Sequence, residues 1–297
     1  MNKQKIADHF GTPFLGKLTA ILDKYISLWQ LSDLEQVDYY SVNCIFTCTS
    51  EKYGDCVLKV SPKPQNLTSE YNALVEFGGG VACRAYEFSD TDGVLLLERI
   101  KPGTQLRDEP NFDTRLGAFC QVFKSLHTSP NLTAKYATYI DWVSQSAAYM
   151  RTRNDYAKLS EKMSKAEEIC RYLWQKHPEQ TLLHGDLHHD NILLGENGYR
   201  VIDPKGAIGN PVFDIPRFML NEENHDEMGN FARIASTLSE KFNVPEEDIR
   251  LLYFIEICMG NCWSVEYSNR QPDWNDLLFA ERVIADITHP PHPISLP

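Results

Sequence analysis

His184-Gly185-Asp186-Leu187-His188-His189-Asp190-Asn191 runs into Ile192-Leu193-Leu194, then the turn Gly195-Glu196-Asn197-Gly198, and then Tyr199-Arg200-Val201-Ile202-Asp203. A carboxylate and a carboxamide five residues apart sit on a loop that feeds an apolar strand. A turn sends the chain back along a second strand, which ends on another carboxylate. Such a hairpin returns its strand ends to one place, so Asp186, Asn191 and Asp203 are expected around one small volume. Phosphoryl transfer needs this inventory: an oxygen to orient an attacking hydroxyl, here Asp186, and hard oxygen ligands for Mg²⁺, here Asn191 and Asp203. Asp, Asn and Gly favour turns in any protein, so the complete spacing carries the reading rather than any one residue.

Upstream of this stretch, Leu15, Leu18, Ile21, Leu22, Tyr25, Ile26 and Trp29 recur at helical spacing and predict a helix over 14–31. Val42 to Cys48 and Cys56 to Val60 read as paired strands, Val94 to Leu97 as another, with a helix over Leu67 to Phe77 between them. After Pro102 and Gly103 the periodicity turns helical, at about 112–127, 139–150, 156–176, 226–242 and 247–268, interrupted only by short β segments over 182–203. The expected fold class is α+β and bilobal: a small β-rich lobe over residues 1–99, a larger, mainly helical lobe over 100–297, and the site in a cleft between them.

Composition narrows the function classes. With 297 residues, 42% hydrophobic and 24% charged, the chain can bury a substantial core. No stretch approaches the roughly 20 apolar residues of a membrane span, and the first fifteen residues mix charges without an apolar run, so a cytoplasmic protein is expected. Eight scattered cysteines without CxxC spacing predict reduced thiols rather than disulfides or zinc, and Cys258 and Cys262, four apart, read as core. A net charge of −12 argues against nucleic-acid or anionic-membrane partners and is compatible with a cationic small molecule.

The HGDLHHDN octet resembles the aminoglycoside phosphotransferase family, which shares the protein-kinase fold. With VIDPKG (Val201 to Gly206), FDIPRFMLN (Phe213 to Asn221) and Cys262-Trp263-Ser264-Val265-Glu266, the chain looks most like the streptomycin 6-phosphotransferase and hydroxyurea kinase branch. The resemblance implies a bilobal kinase-like fold using ATP and Mg²⁺. By it, Asp186 is the catalytic base, Asn191 and Asp203 are the magnesium ligands, and Asp214 and His184 brace the loop. In a kinase-like small lobe a strand lysine meets the α- and β-phosphates and a helix glutamate holds it; Lys59 and Glu70 fill those places. The stretch Leu95 to Gly103 resembles the hinge, whose main chain at Glu98 and Ile100 would bond the adenine edge; the Glu98 side chain reads equally as an ordinary polar residue at a strand end. The loop expected over the phosphates, Tyr40 to Asn43, has no glycine, which leaves Ser41 and Asn43 as its hydrogen-bond donors.

The acceptor is expected near Asp186, with Glu222, Glu223, Glu256, Glu266 and Asp273 as acidic candidates; of these Glu266, Glu256 and Glu222 are expected to contact the substrate, and helix surfaces are rich in glutamate in any case. Three readings stay open. They are a streptomycin-type O-phosphotransferase, a kinase of a cellular metabolite such as an amino sugar or choline-like alcohol, and a non-catalytic nucleotide-binding protein on the same fold.

Overall fold

The computed structural model describes residues 1–37, 42–130, 136–222, 228–268 and 270–287. Helices α1 (Lys3–Phe10) and α2 (Thr12–Leu28) lead into β1 (Leu31–Gln36), β2 (Cys44–Ser50) and β3 (Gly54–Val60). Helix α3 (Gln65–Phe77) precedes β4 (Ala85–Ser89), β5 (Val94–Glu98) and β6 (Pro102–Gln105). Then come α4 (Phe112–Leu126), α5 (Tyr139–Arg151) and α6 (Ala157–Lys176), followed by β7 (Thr181–Leu183), β8 (Ile192–Gly195), β9 (Gly198–Val201) and β10 (Ala207–Gly209). The chain continues through α7 (Ile215–Glu222), α8 (Met228–Phe242), α9 (Glu246–Ser268) and α10 (Trp274–Val283). Two compact units result: Met1–Leu126 with Asp190–Lys205, and His127–His189 with Gly206–Pro297.

The first unit is built on a five-stranded antiparallel sheet in the order β1-β2-β3-β5-β4. Alternation along β2 buries Cys44, Phe46 and Cys48 on one face, where they meet Leu18, Leu22 and Tyr25 of α2 in a single apolar cluster. In β5 the run Val94–Leu97 is buried throughout, because α2 covers one face and α3 the other. The expected helix over 14–31 ends sooner, at Leu28: Gln30 takes φ 51° and Leu31 opens β1 opposite Ser50. A second sheet, in the order β6-β8-β9, brings the hairpin that follows the HGD loop into this unit. Val201 fixes it further, donating to Val81 O at 2.8 Å and accepting from Cys83 N at 2.9 Å.

The second unit is mainly helical around α9. That helix is buried on nearly every side, from Leu251 through Phe254 and Cys258 to Cys262, because α5, α6, α7, α8 and α10 all pack against it. Asp248, fully buried near its start, takes Lys176 Nζ at 2.7 Å and His177 Nε2 at 2.9 Å from the end of α6. A Thr138/Asp141 capping box starts α5. No disulfide joins any of the eight cysteines, and seven of them are buried. No described helix is long and apolar enough to cross a membrane. A unit on an antiparallel sheet and a unit of helices make up the expected α+β class.

Candidate active site

In the first unit the key residue is Lys59, on β3 between Ile45 and Leu95 and only 4% exposed. Its partner Glu70 reaches it for a periodic reason. On α3 the buried positions are Leu67, Glu70, Ala73, Leu74 and Phe77, so Glu70 takes a place in the apolar stripe and is carried inward. Lys59 Nζ donates to Glu70 Oε1 at 2.7 Å and also contacts Asp203 Oδ1. Burial alone would lower the lysine's pKa, but the charges of Asp203 and Glu70 hold it above the ordinary value. Partial burial likewise opposes ionisation of Asp203, yet Lys59 and Lys205 keep its carboxyl well below the usual range. Glu70 is pushed up to about 7 by burial and by the charge of Asp203, against the pull of Lys59. One cation is therefore shared by two acids.

Asp203 sits just beyond β9 in the left-handed region, φ 64°, which Asp tolerates better than most residues. Ile202 N donates to Asn191 O at 3.0 Å and closes the base of the β8–β9 hairpin, so Asn191 and Asp203 stand at the same hairpin end. Asp190, beside Asn191, is held by Arg107 Nη2 at 2.5 Å, and its carbonyl accepts from Gln105 Nε2 at 3.2 Å. To a metal, Asn191 and Asp203 would offer one carboxylate and one carboxamide. Among the described residues no three His, Cys, Asp or Glu side chains gather as a metal cage. Such a hard-oxygen pair fits Mg²⁺, which fills its remaining positions with water and phosphate oxygens, and does not fit a zinc centre.

Glu98, at the end of β5, is bound on both sides. Its carboxylate takes Arg200 Nη1 at 2.5 Å and Nη2 at 2.8 Å and accepts from Arg84 N at 3.0 Å, while its own N–H donates to Arg84 O at 2.9 Å. The side chain is thus an ion-pair anchor rather than a free strand-end polar group, and the backbone N–H belongs to the sheet edge. Ile100 is buried. Asn43 is buried, with Oδ1 lacking a hydrogen-bond partner among the described residues, whereas Ser41, like Tyr40 and Glu223, lies outside the described residues.

In the second unit, β7 delivers His184 and Gly185. Asp214, 1% exposed, accepts from both of their backbone N–H groups at 2.8 Å and lies 3.0 Å from His127 Nε2. Burial would raise this carboxyl, but the hydrogen bond and charge of His127, with His184 and Gly185, hold it below the ordinary value. Gly185 has φ 75°, a turn that a side chain would resist. Asp186 N donates to His184 Nδ1 at 3.2 Å, and Asp186 O accepts from His188 N at 2.9 Å. The Asp186 carboxylate is 19% exposed, and its Oδ1 lies 3.5 Å from Arg217 Nη1 and 3.7 Å from His188 Nε2.

Two of the acidic acceptor candidates turn inward. Glu256, 2% exposed on α9, accepts from Tyr139 Oη at 2.5 Å and lies 2.8 Å from Arg217 Nε. Glu222 lies 2.7 Å from His189 Nε2, with a side chain 3% exposed, and His189 stacks on Phe218. Glu266 is half-buried near the end of α9, and Asp273 caps α10 by accepting from Asn275 N and Asp276 N. The structure thus joins Lys59, Glu70 and Asp203 in one unit, and Asp186, Arg217, Glu256 and Tyr139 in the other. Arg217, Tyr139, His127 and Arg107 were not singled out in the sequence. Arg217 alone left a signal, as the one charge in the first turns of an otherwise apolar segment, Phe213 to Leu220 after Asp214.

A family model described as aminoglycoside/hydroxyurea antibiotic resistance kinase matches residues 32–266. Streptomycin 6-kinase of Streptomyces griseus is 21% identical over 249 residues, spanning 81% of this chain and 78% of that protein. Hydroxyurea phosphotransferase of Kitasatospora aureofaciens is 26% identical, spanning 74% of this chain and 66% of that protein. Among solved structures, a choline kinase from Streptococcus pneumoniae superposes with a TM-score of 0.67 at 14% identity, covering 91% of this chain and 98% of that one. A thermostable mutant of an aminoglycoside phosphotransferase, in a ternary complex with ADP and hygromycin B, gives 0.63 at 16%, covering 90% and 97%. At these identities the two structures speak for a shared kinase-like fold.

Proposed function

Because the chain belongs to the aminoglycoside/hydroxyurea antibiotic resistance kinase family, we propose that it transfers the γ-phosphoryl of MgATP to a hydroxyl of a small molecule, an aminoglycoside such as streptomycin. The observation that carries this reading is the buried Lys59 shared between Glu70 and Asp203. A fully buried cation with two carboxylates is costly to build and stabilises little by itself. It is what a nucleotide-phosphate site requires.

In this reading Asn191 and Asp203 hold Mg²⁺, and the ion, when bound, neutralises charge on the phosphate oxygens. Lys59, kept in place by Glu70, binds the α- and β-phosphates, with Ser41 and Asn43 as hydrogen-bond donors over them. The main chain of Glu98 and Ile100 holds the adenine edge; since the Glu98 N–H is already bonded within the sheet, its carbonyl and the Ile100 N–H are the groups that do so. Asp186 accepts the proton of the acceptor hydroxyl as the new O–P bond forms and the bond from the γ-phosphorus to the β–γ bridging oxygen breaks, releasing ADP. Most of the acceleration comes from positioning and charge stabilisation. For the acceptor, Glu266 is the acidic contact that remains partly open, whereas Glu222 and Glu256 act through His189 and Arg217. The net charge of −12 favours a cationic acceptor, and the reaction belongs in the cytoplasm, with ATP.

The test is ADP release by the purified protein with MgATP, alone and with streptomycin, hydroxyurea or choline. Streptomycin-stimulated release that falls by about 10²–10⁴-fold in Asp186→Ala supports the reading. Stimulation by hydroxyurea or choline instead would move the acceptor and keep the reaction. Undiminished turnover in Asp186→Ala would overturn the assignment of the base.

A further inference from the structure

Arg217 is the unusual residue of the second unit. It lies on α7 three positions after Asp214, its side chain is 18% exposed, and it has two anionic neighbours on different sides. Nε lies 2.8 Å from Glu256 Oε2, an ion-pair contact rather than an aligned hydrogen bond, and Nη1 lies 3.5 Å from Asp186 Oδ1. Glu256 is itself fixed, since Tyr139 Oη donates to its other oxygen at 2.5 Å. The ring of Trp263 lies 5.7 Å from the guanidinium Cζ, and Trp142 is in edge contact with Trp263. A planar guanidinium presents its Nε and Nη edges in fixed directions, which lets one edge be anchored while the other faces a second carboxylate.

We infer that Arg217 is a positioning residue for the transfer: anchored by Glu256 and Tyr139, it holds the Asp186 carboxylate in the charged, hydroxyl-facing arrangement that the acceptor meets. The chain of contacts runs Tyr139, Glu256, Arg217, Asp186, from a fully buried phenol to a carboxylate that solvent reaches. The charged groups facing Arg217 are Asp186, Glu256 and Asp214, with the Tyr139 phenol beside them, and His188 is an ionisable neighbour of the same Asp186 oxygen. A guanidinium beside Asp186 favours its ionised, proton-accepting form, and its removal disfavours that form. Misplacement of a reacting group by about an ångström costs about 10²-fold in rate.

This inference rests on the proposed role of Asp186, so the experiment separates the two. ADP release is measured across pH with MgATP alone and with streptomycin, for the wild type, Asp186→Asn, Arg217→Gln and Arg217→Lys, with a melting curve for each. Arg217→Gln is expected to lose about 10²-fold in kcat with KM for ATP unchanged, and the acid limb of its profile is expected to move to higher pH. Arg217→Lys keeps the charge and loses the two-edged geometry, so its limb stays at the wild-type position while kcat falls part of the way. A wild-type kcat and limb in Arg217→Gln would sink the inference. So would an equal loss in both arginine variants with no movement of the limb, because that pattern marks a purely structural residue. If Arg217→Gln does not fold, the lysine variant decides: wild-type kcat, or a displaced limb, overturns the inference. Full activity in Asp186→Asn would instead remove the parent reading.

Discussion

Asp214 carries three hydrogen-bond contacts on one buried carboxylate, and two of them fix the turn on which Asp186 stands. Asp214→Asn keeps the shape but can no longer accept on both sides, so it is expected to cost about 1.5–3 kcal/mol of stability and to lower turnover with it, measured by urea denaturation and ADP release. The pH dependence has a definite sign. The folded carboxyl lies below its ordinary value, so its stabilising contribution is complete above the unfolded pKa, about 3.9, and is lost as pH falls through the folded one. Wild-type stability should therefore drop more steeply below about pH 4 than that of the asparagine variant. At this scale the sequence was legible in placement where a residue's chemistry and its spacing agree: Lys59 meets Glu70, and Asn191 and Asp203 share one hairpin end. It was opaque for Tyr139, and for Arg217 beyond its lone charge in an apolar segment, because the contacts of both run to Glu256, thirty-nine and more positions away. No local pattern announces such a partner.

Elements were read well where their periodicity is strong and poorly where it is diluted. Helices α4, α5, α6 and α9 lie close to their expected ranges because each has a sustained apolar stripe. Strand β1 shows no clean alternation, β4 is half-buried along its whole length, and α10 is short, so none of them stood out. Nor could spacing show that the β8–β9 hairpin joins the first unit. That depends on Arg200, which grips Glu98 with two nitrogens and the carbonyls of Gly79 and Ala82 with one of them, at 3.2 and 2.7 Å. A lysine has one head and no fork, so Arg200→Lys should destabilise the first unit by about 1.5–3 kcal/mol. A lowered urea midpoint, with amide exchange accelerated first in β8 and β9, is the expected observation; an unchanged midpoint would mean that the hairpin is held by its backbone bonds alone.

For the molecule as a whole, the proposed nucleotide site makes stability depend on ligand. MgADP at a hundred times its dissociation constant should raise the unfolding free energy by about 2.7 kcal/mol, visible as a higher melting temperature that EDTA removes. Asp203→Ala should lose most of that increment and Asp186→Ala should keep it, since only the former is a proposed metal ligand. The division of the chain has a further consequence, in time rather than in space. Asp190–Lys205 belongs to the unit that otherwise ends at Leu126. On the ribosome, that unit waits for about 80 more residues before its last sheet strands exist, roughly 4–16 s at bacterial and eukaryotic elongation rates. During that interval Glu98 has been made and Arg200 has not. The nascent sheet unit stays incomplete until the hairpin bearing Asn191 and Asp203 leaves the tunnel, so the proposed metal ligands and the completion of the fold arrive together.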